Sequence, residues 1–536
     1  ARNPRVPLLE RLRFVSISAT NLDEFYTVRV AGLRELVREG STTPSDDGLT
    51  PAEQLAMINT DARRLMGAQQ GVWNTLRKEM EQAGIVILSD NLDAFAVRAA
   101  TARASGRSLD LQYYIWHADF TGNMIHHELL QAADRGVRVR LLLDDMNVHG
   151  SESVLAALDS HPLVEVRLFN PTRAREGTIA RGVELLLRFF SLNRRMHNKT
   201  WIADGRVAIV GGRNIGDEYF DAAADINFMD TDAAVIGPPV KQAEAIFDAY
   251  WNSASAIPLS ALVEPGTGAL ERVRASIDAG LASPRAAPYL QRLKDSPGVN
   301  DLMGGKVRIH WTTDAAIVSD PPEKAEGATP QPDWMTPVLV EHVSVVERDL
   351  KLISPYFVPG TEGVNWFDSV RRRGVEVGIL TNSLAANDVM AVHGGYAGYR
   401  IPLLERGVSL YELKPHGSTS ASLFGSSGAS LHTKAYVLDG RRGFIGSFNL
   451  DPRSMNLNTE MGLLFESTDA AAELEALYRR KTDPRTSYRL ELVDGALRWQ
   501  DDAAQPPRTW DREPEASLWR RGAARVIGWL PVESQL

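Results

Sequence analysis

The sequence contains no cysteine among its 536 residues, which excludes disulfides, thiolate metal ligands and a cysteine nucleophile. It has no apolar run near the ~20 residues that a membrane-spanning helix requires, since stretches such as residues 183–190 are far shorter. An excess of positive charge is also absent, because the net charge is −9. A protein that binds nucleic acid over its whole surface is therefore not expected, although a local basic groove remains compatible with this composition.

The composition is that of an ordinary soluble protein, with 44% hydrophobic and 24% charged residues. Over the first 88 residues the apolar side chains recur at helical spacing. One helix is predicted to start at Asn21. Residues 50–53 read Thr-Pro-Ala-Glu, which predicts the start of a long helix with a capping box, and Gly84 is predicted to end it. This part of the chain is therefore expected to be a small all-helical domain.

After residue 91 the pattern changes to alternating strands and helices, and the same series occurs twice. The first series predicts a helix at 123–134 and strands at 108–116, 136–144 and 164–169. The second predicts a helix at 363–372 and strands at 349–357, 374–381 and 408–413. A duplicated unit of this kind buries a mixed or parallel sheet between layers of helices.

Four segments follow from these patterns: a helical domain, a first α/β half, a second α/β half and a C-terminal tail. We predict their bounds as 1–88, 89–300, 301–485 and 486–536. Within them, residues 258–300 have the pattern of a helical connector, and the proline-rich residues 320–337 are expected to form a long loop.

Each half also contains the same set of chemically active residues at the same offsets. A histidine is followed by a lysine after 2 residues, an aspartate after 7 and an asparagine after 17: His197, Lys199, Asp204 and Asn214, then His432, Lys434, Asp439 and Asn449. The histidine follows the glycine of an Arg-Gly-Val sequence by 61 residues in the first half and by 58 in the second. This repetition favours two copies of a catalytic motif over two unrelated core histidines.

The chemistry of these residues suits a phosphodiester. A histidine and a lysine separated by one residue of a strand point to the same side, so two facing motifs would surround one phosphorus atom. One imidazole could attack phosphorus while the other protonates the leaving alcohol. Lys199 and Lys434, with Asn214 and Asn449, would bind the non-bridging oxygens, so neither a metal nor a cofactor is required. For the two motif aspartates, a structural ion pair and a catalytic role both remain open.

The paired motif resembles that of the phospholipase D superfamily. Stretches such as RGVRVRLLLDD, GGRNIGDEYF and GSFNLDPRS make residues 91–536 most similar to bacterial cardiolipin synthases of the C type. The resemblance implies two duplicated α/β/α halves with mixed sheets and one active site between them. It also implies transphosphatidylation, in which a phosphatidyl-histidine is attacked by the hydroxyl of a second lipid. Phosphatidylglycerol would be a substrate, with phosphatidylethanolamine as a further candidate.

The same resemblance assigns finer roles. It implies a carboxylate roughly thirty residues after each histidine that orients the ring. Glu460, 28 residues after His432, fits this role, and Asp230 is the candidate for His197, with Asp232 as the alternative. By analogy His197 is the nucleophile and His432 the acid and base. Hydrolysis of phospholipid or nucleic acid by the same residues remains the alternative function.

The first 88 residues, with the wording PRVPLLERLRFVSISATNLDEFYTVRVAGL, resemble the N-terminal helical domain of polyphosphate kinase. No downstream motif matches the catalytic motifs of that family, so a phosphotransferase related to it is the less favoured function. A packing or oligomerisation module is the expected role of these helices.

Two stretches, residues 179–196 and 518–530, combine apolar residues with arginines. In the second, one helical stripe contains Leu518, Trp519, Ala523, Val526, Ile527 and Leu530. Such stretches are typical of helices that lie on an anionic bilayer surface. A helix that faces the core and exposes its arginines fits equally well. We therefore predict peripheral contact with the bacterial inner membrane, on a side that the sequence leaves open. A helix that packs on the core remains the alternative.

Overall fold

A computed structural model describes residues 1–3, 5–148, 150–171, 194–284, 286–328, 331–415 and 428–527. The chain divides into two compact units, residues 1–82 and 83–536. The helical unit thus ends before the predicted boundary at residue 88, because residues 83–88 form a strand of the second unit.

The described part of the first unit contains three α-helices: α1 (Leu8–Phe25), α2 (Ala31–Arg38) and α3 (Pro51–Met80). A π-helical turn, Tyr26–Val30, joins α1 to α2. The predicted capping box is confirmed, since the Thr50 hydroxyl accepts from the Glu53 N–H and the Glu53 carboxylate accepts from the Thr50 N–H.

Two predicted helix ends in this region are wrong. No helix starts at Asn21, because α1 passes through that position without interruption. Gly84 does not cap α3 either, because it lies in a strand and pairs with Ile236 of a neighbouring strand. Long-range strand pairing here overrides the local preference of glycine for a helix end.

The first α/β half starts at residue 83 and contains nine strands in its described part. In chain order its strands and helices are β1 (Ala83–Leu88), α4 (Asn91–Ala104), β2 (Ser108–Tyr113), α5 (Phe120–Asp134), β3 (Arg138–Asp144), α6 (Glu152–Asp159), β4 (Val164–Phe169), β5 (Thr200–Ala203), β6 (Val207–Gly211), β7 (Ile226–Met229), β8 (Asp232–Ile236), α7 (Pro239–Trp251) and β9 (Ala256–Pro258). The predicted helical connector follows as α8 (Ala269–Leu281), α9 (Ala287–Asp295) and α10 (Pro297–Met303).

The second half repeats this plan and extends it. Its elements are β10 (His310–Thr312), β11 (Asp314–Ser319), α11 (Glu323–Glu326), α12 (Met335–Ser344), β12 (Asp349–Ile353), α13 (Gly360–Arg372), β13 (Glu376–Asn382), α14 (Met390–Ala397), α15 (Arg400–Glu405), β14 (Ser409–Leu413), β15 (Gly428–Leu431), β16 (Lys434–Leu438), β17 (Arg442–Gly446), α16 (Pro452–Asn456), β18 (Met461–Glu466), α17 (Thr468–Lys481), β19 (Ser487–Val493), β20 (Ala496–Asp501), β21 (Arg508–Trp510) and α18 (Leu518–Ile527).

The two large sheets share the order of eight equivalent strands and differ at their edges. The first reads β10-β1-β8-β6-β5-β2-β3-β4-β9 and the second β11-β18-β17-β16-β12-β13-β14-β19-β20-β21. In each, three parallel strands (β2-β3-β4 and β12-β13-β14) adjoin an antiparallel hairpin (β5-β6 and β16-β17). The predicted duplicated halves with mixed sheets are therefore confirmed.

Two segments belong to other sheets or domains than the predicted domain bounds assign them to. Strand β10 follows the boundary predicted at residue 300 but pairs with β1 of the first sheet. Strands β19 to β21 extend the second sheet, so the chain between residues 487 and 510 is not a separate tail. Both differences arise because edge strands leave unpaired N–H and C=O groups that a neighbouring segment can satisfy.

The halves share a hydrophobic core. Ile202, Val210 and Val235 of the first sheet pack in one buried cluster with Ile445 and Leu463 of the second. Burial of such side chains contributes about 1.5–3 kcal/mol each. A short parallel ladder between β7 and β15 also joins the halves. These contacts hold the ends of the central strands, where the two motifs lie, next to each other.

Both candidate membrane stretches are only partly described. Residues 179–193 of the first lie outside the described residues. The second forms α18, in which Leu518, Trp519 and Val526 are 79%, 76% and 56% exposed while Ala524 is buried. Those three large side chains therefore do not face the core. Among the described helices, none is long and apolar enough to cross a membrane.

Candidate active site

The two motif histidines are anchored where the halves meet. His197 precedes β5, and its N–H donates to the carbonyl of Thr459 in the second half at 2.9 Å. His432 precedes β16, and its N–H donates to the carbonyl of Met229 in the first half at 2.9 Å. Each histidine is therefore fixed by the backbone of the other half.

This backbone pairing decides which carboxylate meets which ring. Met229 and Thr459 are each followed by a carboxylate, Asp230 and Glu460. The Oε2 atom of Glu460 lies 2.8 Å from Nδ1 of His197. The Oδ2 atom of Asp230 lies 2.5 Å from Nδ1 of His432.

The orienting carboxylates are therefore exchanged between the halves, and the prediction that each serves the histidine of its own half is wrong. Asp232, the predicted alternative to Asp230, has a different environment. Its carboxylate accepts from the buried guanidinium groups of Arg98 and Arg213 at 2.8 and 2.7 Å. Asp232 is thus a core ion pair and is not bonded to a histidine in the described structure.

The motif lysines are buried beside the histidines. Nζ of Lys199 donates to the carbonyl of His197 at 2.5 Å, and Nζ of Lys434 donates to that of His432 at 2.6 Å. Burial lowers the pKa of both lysines, to about 8 for Lys434. A buried ammonium group has few competing water contacts, so a phosphate oxygen would be a strong ligand for it.

The two histidines differ in their electrostatic environment. Burial, with the charges of Lys199 and Lys434, holds the pKa of His197 well below its ordinary value. Burial and Lys434 also lower the pKa of His432, but the charge of Asp230 opposes this effect. The neutral ring is therefore more strongly favoured at His197 than at His432.

The two carboxylates that contact these histidines also differ in pKa. Burial raises the pKa of Glu460 to about 7, although the Lys199 charge lowers it. Burial also disfavours the ionised form of Asp230, but the pairing with His432 outweighs it and holds that pKa at about 2. Asp230 therefore stays ionised near neutral pH and stabilises a protonated His432.

One sequence difference between the motifs changes the surroundings of the two carboxylates. The hydroxyl of Ser447 donates to Glu460, and that of Ser454 does so at 2.8 Å. Position 212 is glycine where the second motif has Ser447, and a Cβ there would lie only 2.6 Å from Oδ1 of Asp230. The difference between positions 212 and 447 was visible in the sequence, but its link to the carboxylates required the fold.

The two asparagines are not equivalent. Oδ1 of Asn214 accepts from the Ile115 N–H at 3.1 Å, and its Nδ2 donates to the hydroxyl of Tyr219 at 2.8 Å. Oδ1 of Asn449 is buried and has no hydrogen-bond partner in the described structure. Asn214 is thus engaged by protein groups, while the Asn449 amide retains an unused polar atom.

Aromatic rings that sequence reasoning missed enclose the histidines. The ring of Tyr114 meets that of His197 edge-on, with 5.0 Å between centroids. The rings of Tyr219 and Phe228 lie 5.4 and 5.1 Å from that of His432. These contacts restrict rotation of each imidazole. None of the aromatic residues has a spacing that relates it to a motif.

The motif aspartates lie at the tips of the β5–β6 and β16–β17 hairpins, at positive φ. The Asp204 carboxylate accepts from the backbone N–H groups of residues 106–108. The Asp439 carboxylate accepts from those of residues 347–349 in the same way. Neither carboxylate is bonded to a histidine in the described structure. The predicted catalytic role is therefore replaced by a structural one, with backbone hydrogen bonds as its basis.

One group in the described part of the chain has the donor atoms of a metal site. Ligand atoms of His117, Asp119 and Glu218 lie within 4.8 Å of one another. Nδ1 of His117 is 3.3 Å from Glu218, and the hydrogen bond between them raises the pKa of the imidazole. A His–Glu ion pair accounts for this arrangement without a bound ion.

Two duplicated halves that meet at paired histidines and lysines define a phospholipase D-like fold. The family model described as cardiolipin synthase, PLD-like domain, matches residues 99–251 and 339–481. That of the polyphosphate kinase N-terminal domain matches residues 1–88. The chain belongs to the phospholipase D-like cardiolipin synthase family and is an enzyme of that superfamily.

Similar proteins agree with this assignment. Cardiolipin synthase C of Escherichia coli K12 is 42% identical over 84% of this chain and 96% of its own length. An uncharacterised protein of Helicobacter pylori strain 26695 is 33% identical over 79% of this chain and 84% of its own. The crystal structure of phosphatidylserine synthase from Haemophilus influenzae superposes with a TM-score of 0.54 at 13% identity. The superposition covers 84% of this chain and 95% of the phosphatidylserine synthase chain, so the two proteins share a fold.

Proposed function

We propose that this protein is a phosphatidyltransferase that makes cardiolipin by transphosphatidylation. The observation that carries the proposal is the pair of buried histidines, each bonded through Nδ1 to a carboxylate of the opposite half. This leaves the two Nε2 atoms for chemistry at one phosphorus. The likeness to a cardiolipin synthase directs the choice among phosphodiester reactions.

In the first step, Nε2 of His197 attacks the phosphorus of phosphatidylglycerol, and the bond from phosphorus to the glycerol oxygen breaks. His432 acts in its protonated form, which Asp230 stabilises, and transfers its proton to the leaving glycerol. The ammonium groups of Lys199 and Lys434 stabilise the charge that builds up on the non-bridging oxygens. The product of this step is a phosphatidyl-histidine.

In the second step, a hydroxyl of another phospholipid attacks the same phosphorus. His432 now accepts the proton of that hydroxyl, the bond between phosphorus and Nε2 breaks, and His197 is regenerated. Phosphatidylglycerol supplies this hydroxyl when cardiolipin is the product. Phosphatidylethanolamine, the second candidate substrate, has no free hydroxyl and would act as the phosphatidyl donor of the first step, with ethanolamine as the leaving alcohol. If water attacks instead, the product is phosphatidic acid.

A phospholipid substrate supports a peripheral location on the bacterial inner membrane. The first unit would serve as an oligomerisation module, which its surface supports. An apolar groove of about 960 Å³ runs between α1 and α3, and Phe14, Ile17 and Met57, all more than 40% exposed, line it.

The test is incubation of the protein with labelled phosphatidylglycerol vesicles, with and without phosphatidylethanolamine, followed by separation of the lipid products. Labelled cardiolipin is expected, and both His197→Ala and His432→Ala should abolish it. Phosphatidic acid as the main product would indicate hydrolysis. Full activity in either histidine variant would refute the mechanism, whereas an ATP-dependent polyphosphate product would assign the function to the first unit.

A further inference from the structure

Helix α18 turns a small residue toward the core and its large apolar residues toward the outside. Its small residue Ala524 is 7% exposed and packs in a buried cluster with Leu384. Its large apolar residues Leu518, Trp519 and Val526 lie 79%, 76% and 56% exposed. A surface helix normally turns its large apolar side chains toward the core, so this face is suited to an external apolar partner.

The charge of α18 indicates what kind of partner fits. Arg520, Arg521 and Arg525 lie within Leu518–Ile527, and this segment has no acidic residue. The chain as a whole carries a net charge of −9, so an anionic surface would repel most of the molecule. A short helix with tryptophan, leucine and arginines has the features of an element that binds an anionic bilayer.

A second copy of this chain fits the face less well. A stable protein interface buries about 800 Å² per partner. Three apolar side chains on a helix of 10 residues offer considerably less than that area. A bilayer requires no matching surface, because the side chains enter a fluid apolar phase.

Contacts also connect α18 to the catalytic site. The guanidinium group of Arg520 donates to the carbonyl oxygens of Ala385 and Asn387. The next residue, Asp388, accepts a hydrogen bond of 2.7 Å from the hydroxyl of Tyr356. The ring of Tyr356 lies 5.9 Å from Nζ of Lys434. The helix thus holds one end of a chain of contacts whose other end is a catalytic ammonium group.

We propose that α18 docks on an anionic phospholipid bilayer through Leu518, Trp519 and Val526, and that it positions the loop of residues 384–388 beside the active site. Arg520 is the positioning residue, since it fixes the loop that holds Tyr356 near Lys434. The identity of the surface as phospholipid rests on the proposed function. The two can nevertheless fail separately, because vesicle binding is measured without the reaction.

The docking is tested by sedimentation of the full chain with vesicles of phosphatidylglycerol and phosphatidylcholine. Loss of the buried area of two large side chains predicts that Leu518→Ser/Trp519→Ser lowers the partition coefficient by about tenfold or more. Trp311→Ser, which removes another tryptophan of the second unit that is 52% exposed, is the matched control and should bind as the wild type does.

Unchanged vesicle binding by the double variant would overturn the docking proposal. The proposal also fails if the double variant lowers the oligomeric mass alone, since the face would then bind a second copy. If binding falls as expected but the wild type makes no cardiolipin, the proposed function fails and the docking proposal stands.

The positioning role is tested with a soluble p-nitrophenyl phosphodiester, for which membrane binding is not needed. Arg520→Met should lower kcat several-fold and leave KM within about twofold, because it displaces a charge that acts in the transition state. Arg520→Lys should restore part of the loss. Arg372→Met, a change at an arginine of α13 whose side chain is 80% exposed, is the control and should leave kcat unchanged. Equal kcat values for Arg520→Met and Arg372→Met would overturn the positioning role.

Discussion

Exchange of the orienting carboxylates between the halves predicts which step each of them serves. Asp230→Asn should impair His432, although its position in the chain groups it with His197. The pKa of Asp230 is about 2 against an ordinary value of 3.8, a difference that corresponds to roughly 2–3 kcal/mol. Loss of this interaction should slow protonation of the leaving group by about 30- to 150-fold, within the range of general acid catalysis.

Two substrates with different leaving groups separate the two carboxylates. Cleavage of phosphatidylglycerol requires a proton for the departing glycerol, whereas p-nitrophenolate leaves as a stable anion. Asp230→Asn should therefore slow phosphatidylglycerol turnover by the factor above and slow the p-nitrophenyl substrate only a few-fold. Glu460→Gln, which affects the nucleophile His197, should slow both substrates.

The histidine variants provide the controls for this assay. His432→Ala should show the same substrate selectivity as Asp230→Asn, and His197→Ala should inactivate the enzyme toward both. Residues that act as a unit are not additive, so Asp230→Asn should cost little more once His432 is already alanine. If Asp230→Asn slowed both substrates equally and was non-additive with His197→Ala, the exchange of carboxylates would be refuted.

Three further predictions concern neighbouring residues. Gly212→Ser should lower phosphatidylglycerol turnover by about tenfold or more, because a Cβ would meet the Asp230 carboxylate; unchanged kinetics would contradict this. Asp204→Ala removes the acceptor for three backbone N–H groups, so we expect a loss of about 1–3 kcal/mol in thermal unfolding with kcat nearly unchanged. Burial raises the pKa of Asp451 to about 7, so its contribution to stability is complete below its ordinary pKa and is lost as pH rises through 7. Asp451→Asn should therefore reduce the fall in Tm between pH 5 and 8, and an unaltered slope would argue against a raised pKa.

Local signals predicted the elements well where the strand or helix was decided by nearby residues. The strand at residues 164–169 matches the structure, and the capping box at Thr50 is present as expected. The predictions at Asn21 and Gly84 were wrong. Gly84 has the local features of a helix end, but strand pairing across the sheet determines its conformation.

The orientation of helix α18 shows a different limit. Helical periodicity correctly predicts that Leu518, Trp519 and Val526 share a face, yet it says nothing about where that face points. Packing of Ala524 against Leu384 turns the face outward. Only neighbours from distant parts of the chain could settle that question.

The sequence by itself determined that the chain is a duplicated α/β enzyme with two histidine–lysine motifs, because repeated spacings and residue chemistry are local properties. Tertiary structure alone decided the partners of those motifs. Backbone pairing of His197 with Thr459 and of His432 with Met229 exchanges the carboxylates between halves. The fold within each half places Asp204 and Asp439 on backbone amides at the tips of their hairpins. Hydrogen bonds depend on positions in space, and residues more than 200 positions apart in the chain occupy neighbouring positions only once both halves have folded together.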